Sequence, residues 1–150
     1  MKFRISLVLL TLAWVGSSAV TAHARDCTNL TIKGSYVFTI HGQILTPNGP
    51  LLVDGIARTT FDSNGNLTQV DAVAVNGSVP PGWRPGTGTF SVNPDCTGTM
   101  TIVNENMPPL NLQIVVAQSG NTIHTVVINP GFAVTGEAER VQAPKREDRD

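Results

Sequence analysis

The chain has 150 residues, of which 41% are hydrophobic and 14% charged, and its 10 basic and 11 acidic side chains leave a formal net charge of −1 at pH 7. Without a basic stripe it lacks the electrostatic footprint of a nucleic-acid-binding protein, and none is expected as a partner. The length fits one domain able to bury a core of its own.

The first segment sets the compartment. Lys2 and Arg4 precede an apolar run from Ile5 to Val15, and Ala22-His23-Ala24 places small residues at the −3 and −1 positions. This is the pattern of a cleavable signal peptide over residues 1–24. The run is shorter than the roughly 20 residues a spanning helix needs, so no stable membrane insertion is expected after cleavage. Cys27 is not at the expected new N-terminus, which argues against a lipid anchor. The expected localisation is periplasmic or secreted. A domain is expected over residues 25–141, followed by a charged, disordered tail over 142–150.

Two cysteines, Cys27 and Cys96, are the chain's whole complement. In an oxidising compartment such a pair reads as a disulfide. It would close a loop of about 70 residues, worth on the order of 4 kcal/mol by chain entropy. Two thiols without nearby histidines fall short of a zinc site, and no metal or cofactor is expected.

Between the cysteines and beyond, no helical period emerges. Short β-branched runs alternate with Gly, Pro and Asn. Eight candidate strands follow: 35–44, 51–61, 67–76, 88–92, 97–104, 110–117, 122–128 and 132–141. No connection is long enough for a crossover helix, so the strands are antiparallel neighbours. Closing such a meander into a barrel removes its exposed edges, and the expected fold is all-β, one antiparallel barrel of about eight strands.

The turns carry mechanisms. Asn64-Gly65 is the strongest hairpin signal, read as a two-residue type I′ turn. Paired positions then sum to 129, setting Arg58 opposite Asp71 and Ala57 opposite Ala72. Ala57, Ala72 and Ala74 would share the core face; Arg58 and Asp71 would pair on the other, which is solvent or a wet barrel lumen, and a surface pair is expected over an interior polar constellation with Asp54. Asn93-Pro94-Asp95-Cys96 suits a type I turn and Ser119-Gly120-Asn121 another. The segment Val79-Pro80-Pro81-Gly82-Trp83-Arg84-Pro85-Gly86 is a stiff loop presenting one large aromatic.

Few motifs carry chemistry. Asp62-Ser63-Asn64-Gly65-Asn66 resembles the start of a calcium loop, but its glycine is misplaced and Val73 stands where the closing glutamate belongs. Phosphate loops, nucleophile elbows and metalloprotease helices are missing from the sequence. No residue is assigned as catalytic. The candidate ligand-contacting residues are His41 and His124, either of which could act as a base if it faced a cavity, and Trp83 and Arg84, placed to guard a barrel mouth.

Three stretches carry a resemblance: Gly34-Ser35-Tyr36, then Gly88-Thr89-Phe90-Ser91-Val92-Asn93-Pro94-Asp95-Cys96-Thr97-Gly98-Thr99, and Gly136-Glu137-Ala138. Together they resemble a group of uncharacterised exported bacterial β-barrel proteins with a G-T-Y-x-V-x-x-D-C-T-G-T stretch, in which Phe90 stands where Tyr is usual. More distantly the layout is similar to allene oxide cyclase-like and calycin barrels. That likeness implies a barrel that holds a small apolar molecule or shapes a substrate for cyclisation. It supplies no motif for placing a catalytic residue.

Three functions follow as expectations. The first is an exported barrel binding a small apolar ligand. The second is a structural or surface-interaction protein with a filled core. The third is an enzyme of the cyclase or isomerase type working in the barrel cavity. An interior that is open or packed solid separates them.

Overall fold

Along each strand buried and exposed side chains alternate, and the alternation decides the fold. Phe38, Ala57, Phe90, Met100 and Ile114 are buried, while their neighbours Val37, Arg58, Thr89, Thr99 and Val115 are exposed. One face of every strand must therefore turn inward. The computed structural model describes residues 26–105 and 107–142. The expected leader over 1–24, and residues 143–150 of the expected tail, lie outside the described residues.

Eight strands form: β1 (Gly34–Thr46), β2 (Gly49–Phe61), β3 (Asn66–Val75), β4 (Arg84–Val92), β5 (Thr97–Asn104), β6 (Leu110–Ala117), β7 (Thr122–Val127) and β8 (Phe132–Arg140). Each pairs antiparallel with the next, and β1 pairs with β8 to close the barrel. The expected all-β, eight-stranded meander barrel is the fold observed. The largest boundary difference is β4, which begins at Arg84 rather than Gly88. Its proline, Pro85, is tolerated because it lies at the strand's start, where a missing N–H costs least.

One end of the barrel is sealed. Tyr36, Phe61 and Phe90 stack edge-to-face, with ring centroids 5.5 and 4.9 Å apart. Ile32, on a 3-10 turn over Asn29–Ile32, is fully buried beside them. Tyr36 donates its hydroxyl hydrogen to the Gly120 carbonyl. The Arg140 guanidinium lies 4.8 Å from the Tyr36 ring centre and donates to the carbonyls of Thr31, Lys33 and Gly120. Burial pushes the Tyr36 phenol up, and Arg140 offsets part of that rise. The expected disulfide is present: Cys27 is bonded to Cys96, and Cys27 N donates to Pro94 O at 3.1 Å. The N-terminal segment is thereby pinned to the turn between β4 and β5.

The register of β2 against β3 differs from the sequence expectation. Arg58 lies opposite Val70, and Ala57 opposite Asp71. The loop has three residues, Ser63-Asn64-Gly65, closed by Asp62 N donating to Asn66 O at 2.9 Å. Only Gly65 takes a positive φ, +89°, so the turn is a type I turn ending in a left-handed glycine rather than type I′. Asp62 decides this. Its carboxylate accepts from Asn64 N at 2.7 Å, Asn66 N at 2.8 Å and Asn66 Nδ2 at 2.9 Å. These bonds, those from Asn66 foremost, hold the Asp62 carboxyl below its ordinary value. The one-residue shift keeps Ala57 inside but turns Ala72 and Ala74 to the outer face, and carries Asp71 into the interior. The expected solvent-facing Arg58–Asp71 pair does not form.

Candidate functional site

Above the aromatic seal the barrel is hollow. A cavity of about 440 Å³ runs to the opposite end. Its walls are mostly apolar: Phe38 and Ile40 from β1, Ala57 from β2, Met100 and Ile102 from β5, Leu112 from β6, Val127 from β7 and Val134 from β8. Ala57, at mid-depth on β2, contributes little bulk and leaves room. The mouth lies among the β1–β2, β3–β4, β5–β6 and β7–β8 connections, where Val75, Pro80, Met107, Pro109 and Phe132 line it.

A hydrogen-bonded polar strip crosses this wall on β2 to β4. Thr59 Oγ1 donates to Gln69 Oε1 at 2.9 Å, and Gln69 Nε2 donates to Asp71 Oδ2 at 3.0 Å. From β4, Arg84 Nε donates to Asp71 Oδ1 at 2.8 Å and Nη2 to Oδ2 at 3.1 Å. The fork-to-carboxylate geometry is the strong form of such a pair. The register dictates it, because Asp71 and Arg84 are direct cross-strand partners with both side chains inward. Asp71 is 3% exposed and Arg84 35%, so the carboxylate is sealed while the guanidinium reaches toward the mouth. There Arg84 Nη1 contacts Met107 Sδ at 2.9 Å. Asn104, opposite Gly86 on the neighbouring strand, adds a buried Oδ1 with no hydrogen-bond partner among the described residues.

The chain matches no known family, no curated protein and no solved structure.

Of the four candidate ligand-contacting residues, the structure brings Arg84 to the cavity. Trp83, next to it, is 59% exposed and stands on the rim outside the lining. His41 points outward from β1, with Nδ1 2.9 Å from Asp54 Oδ1. Both partners are well exposed, which makes the contact worth little. His124 is exposed on β7, opposite Glu137. The ionisable side chains lining the cavity are Asp71 and Arg84, and each is occupied by the other. Among the described residues no cluster of His, Cys, Asp or Glu could hold a metal ion.

Sequence reasoning missed Gln69 and Asp71 as interior residues. A signal was present: the set Leu67, Gln69, Asp71, Val73 and Val75 holds far more bulk than Thr68, Val70, Ala72 and Ala74. In a closed barrel of eight strands the bulkier face of a strand turns inward, whether its side chains fill the interior or line a small cavity. Bulk therefore outweighs the two polar residues, provided a partner for Asp71 exists across the sheet.

Proposed function

We propose that this protein is an exported carrier that holds one small, neutral, mainly apolar molecule inside the barrel. The observation that carries the reading is the open apolar cavity of about 440 Å³, within the size range of small-molecule sites. A core filled for purely structural reasons would not leave that volume, since interiors are close-packed. The charge of the lining supports neutrality in the ligand. Asp71 and Arg84 cancel, so a buried carboxylate or ammonium on the ligand would find no free opposite charge and would bear its full desolvation. One polar ligand group can be met by the N–H groups of Arg84 that Asp71 leaves free. The distant resemblance to calycin and allene oxide cyclase-like barrels points the same way. Export is supported by the disulfide, which persists in oxidising compartments, and by the leader pattern.

The test is titration with N-phenyl-1-naphthylamine, an uncharged dye that brightens in apolar surroundings. Saturable brightening is expected in the wild type, and little or none in Ala57→Phe, which places a ring at mid-depth. Circular dichroism should show that variant folded. Absence of dye binding, or equal binding by folded Ala57→Phe, would count against the carrier reading.

A further inference from the structure

The two ends of the barrel differ in charge and in exposed apolar surface. The mouth carries Leu45, Leu52, Val79, Trp83, Met107 and Ile128, each between 47% and 59% exposed. They come from all four mouth connections or the strand ends beside them, so they ring the opening rather than mark one side. Residues 47–48, 76–83, 105–109 and 128–131 contain one charged residue, Glu105. Every one of these connections contains proline. The opposite end has Asp26, Lys33, Asp62, Asp95 and Arg140. The outer wall between the two ends mixes Thr, Gln, His, Asp and Arg with single exposed apolar residues, Val37, Ile56, Val70, Val103, Val115 and Val126, at 38–50% exposure.

We infer that the mouth rim docks on the surface of an uncharged or zwitterionic lipid layer and that the cavity exchanges its ligand with that layer. The inference rests on the carrier reading, since it explains how an apolar molecule reaches the cavity without crossing water. Three observations choose this occupant. The cavity opens at the centre of the ring, so whatever covers the ring also faces the cavity. The mouth connections hold no cation, and Arg84 just inside the opening is paired with Asp71, which disfavours anionic lipid and acidic partners, for which basic clusters are the usual device. The ring's composition of Leu, Ile, Val, Met and one Trp suits the boundary between headgroups and acyl chains, where a tryptophan keeps its apolar body buried and its N–H wet. Proline in each connection limits the ordering that docking requires. The rim is too small and too interrupted by Asn48, Asn76 and Asn129 for permanent insertion. Docking is therefore shallow and reversible.

Trp83 is a built-in reporter, the chain's other tryptophan being Trp14 in the apolar leader. Purified protein is mixed with phosphatidylcholine vesicles, and the Trp83 signal is isolated as the difference between wild type and Trp83→Phe. That signal should shift to shorter wavelength and be quenched by lipids brominated near the headgroup end of the acyl chain. Leu45→Asp combined with Ile128→Asp should weaken vesicle binding at least tenfold. Those two residues lie outside the cavity lining, so dye binding in lipid-free buffer should persist. Leu30→Asp, at the sealed end, should change nothing. Binding to zwitterionic vesicles should be nearly insensitive to added salt, because Glu105 is the one charge in the mouth connections. Unchanged Trp83 emission with dye binding intact would overturn the docking inference and leave the carrier reading standing. No dye binding by the wild type, with the Trp83 shift retained, would overturn the carrier reading and with it ligand exchange, and leave only docking of the rim. A rim-dependent dimer in sedimentation, without vesicle binding, would make a second copy of the chain the occupant and overturn the lipid assignment.

Discussion

Replacing Arg84 with methionine should be among the most destabilising single changes in the barrel wall. The substitution keeps most of the side-chain volume and removes the charge. Asp71 would lose two of the three side-chain hydrogen bonds it receives, keeping the one from Gln69. Stripping one partner from a fully buried pair costs about 3–5 kcal/mol. Arg84 is 35% exposed and the lumen opens to water at the mouth, so part of that penalty is screened. The expectation is about 2–3 kcal/mol, or about 10 °C in melting temperature for a domain of this size. Replacing Asp71 as well, as Asp71→Leu with Arg84→Met, should recover most of the loss, because no uncompensated charge remains. Chemical denaturation of the two single variants, the double variant and the wild type gives the coupling directly. A loss under about 0.5 kcal/mol for Arg84→Met, with no coupling in the cycle, would refute the view that Asp71 depends on Arg84.

Other consequences follow from the same geometry. Substituting Cys27 and Cys96 together by alanine should cost about 2–5 kcal/mol, read from urea midpoints under non-reducing conditions, since the bond constrains a 69-residue separation; an unchanged midpoint would contradict this. Gly88→Ala should destabilise by about 1–3 kcal/mol or more, because its new Cβ would meet the Thr101 carbonyl oxygen at 1.9 Å and force β4 from β5; a neutral result in thermal melts would mean that the two backbones separate easily. The Asp62 carboxyl is held below its ordinary value, so its contribution is present above the unfolded-state pKa and fades as pH falls through the depressed one. Asp62→Asn should therefore flatten the acid limb of the stability profile, and an acid limb as steep as the wild type's would show that Asp62 contributes nothing to it.

Strand number and order were legible because each strand alternates over its own length and each connection carries Gly, Pro or Asn. Thr97–Asn104 and Leu110–Ala117 match the expected strands at both ends. Register was less legible. Asn64-Gly65 suits both a two-residue and a three-residue loop, and the choice falls to Asp62, whose carboxylate collects three N–H groups only in the longer one. The candidate site suffered from that single residue of slip. With Asp71 assigned outward, its true partner Arg84 was left in a loop, although Arg84 was already a candidate for the mouth. Whether a barrel is hollow is set by the sum of side-chain volumes around it, which no single strand reveals. His41 and His124 were chosen for their chemistry, and strand parity turns both away from the interior.

An even number of meandering strands returns the chain to the side from which it set out. Here Cys27 is fastened to the β4–β5 turn and Val141 N donates to Ser35 O, so both ends of the described residues, at Asp26 and Gln142, lie beside the aromatic seal. The hollow end is built only from continuous hairpin connections. Anything appended at either terminus, whether a tether, a partner domain or an affinity handle, would hang from the pole opposite the opening. A molecule immobilised by its C-terminus should therefore present its mouth outward, free to take up ligand, without any redesign of the barrel.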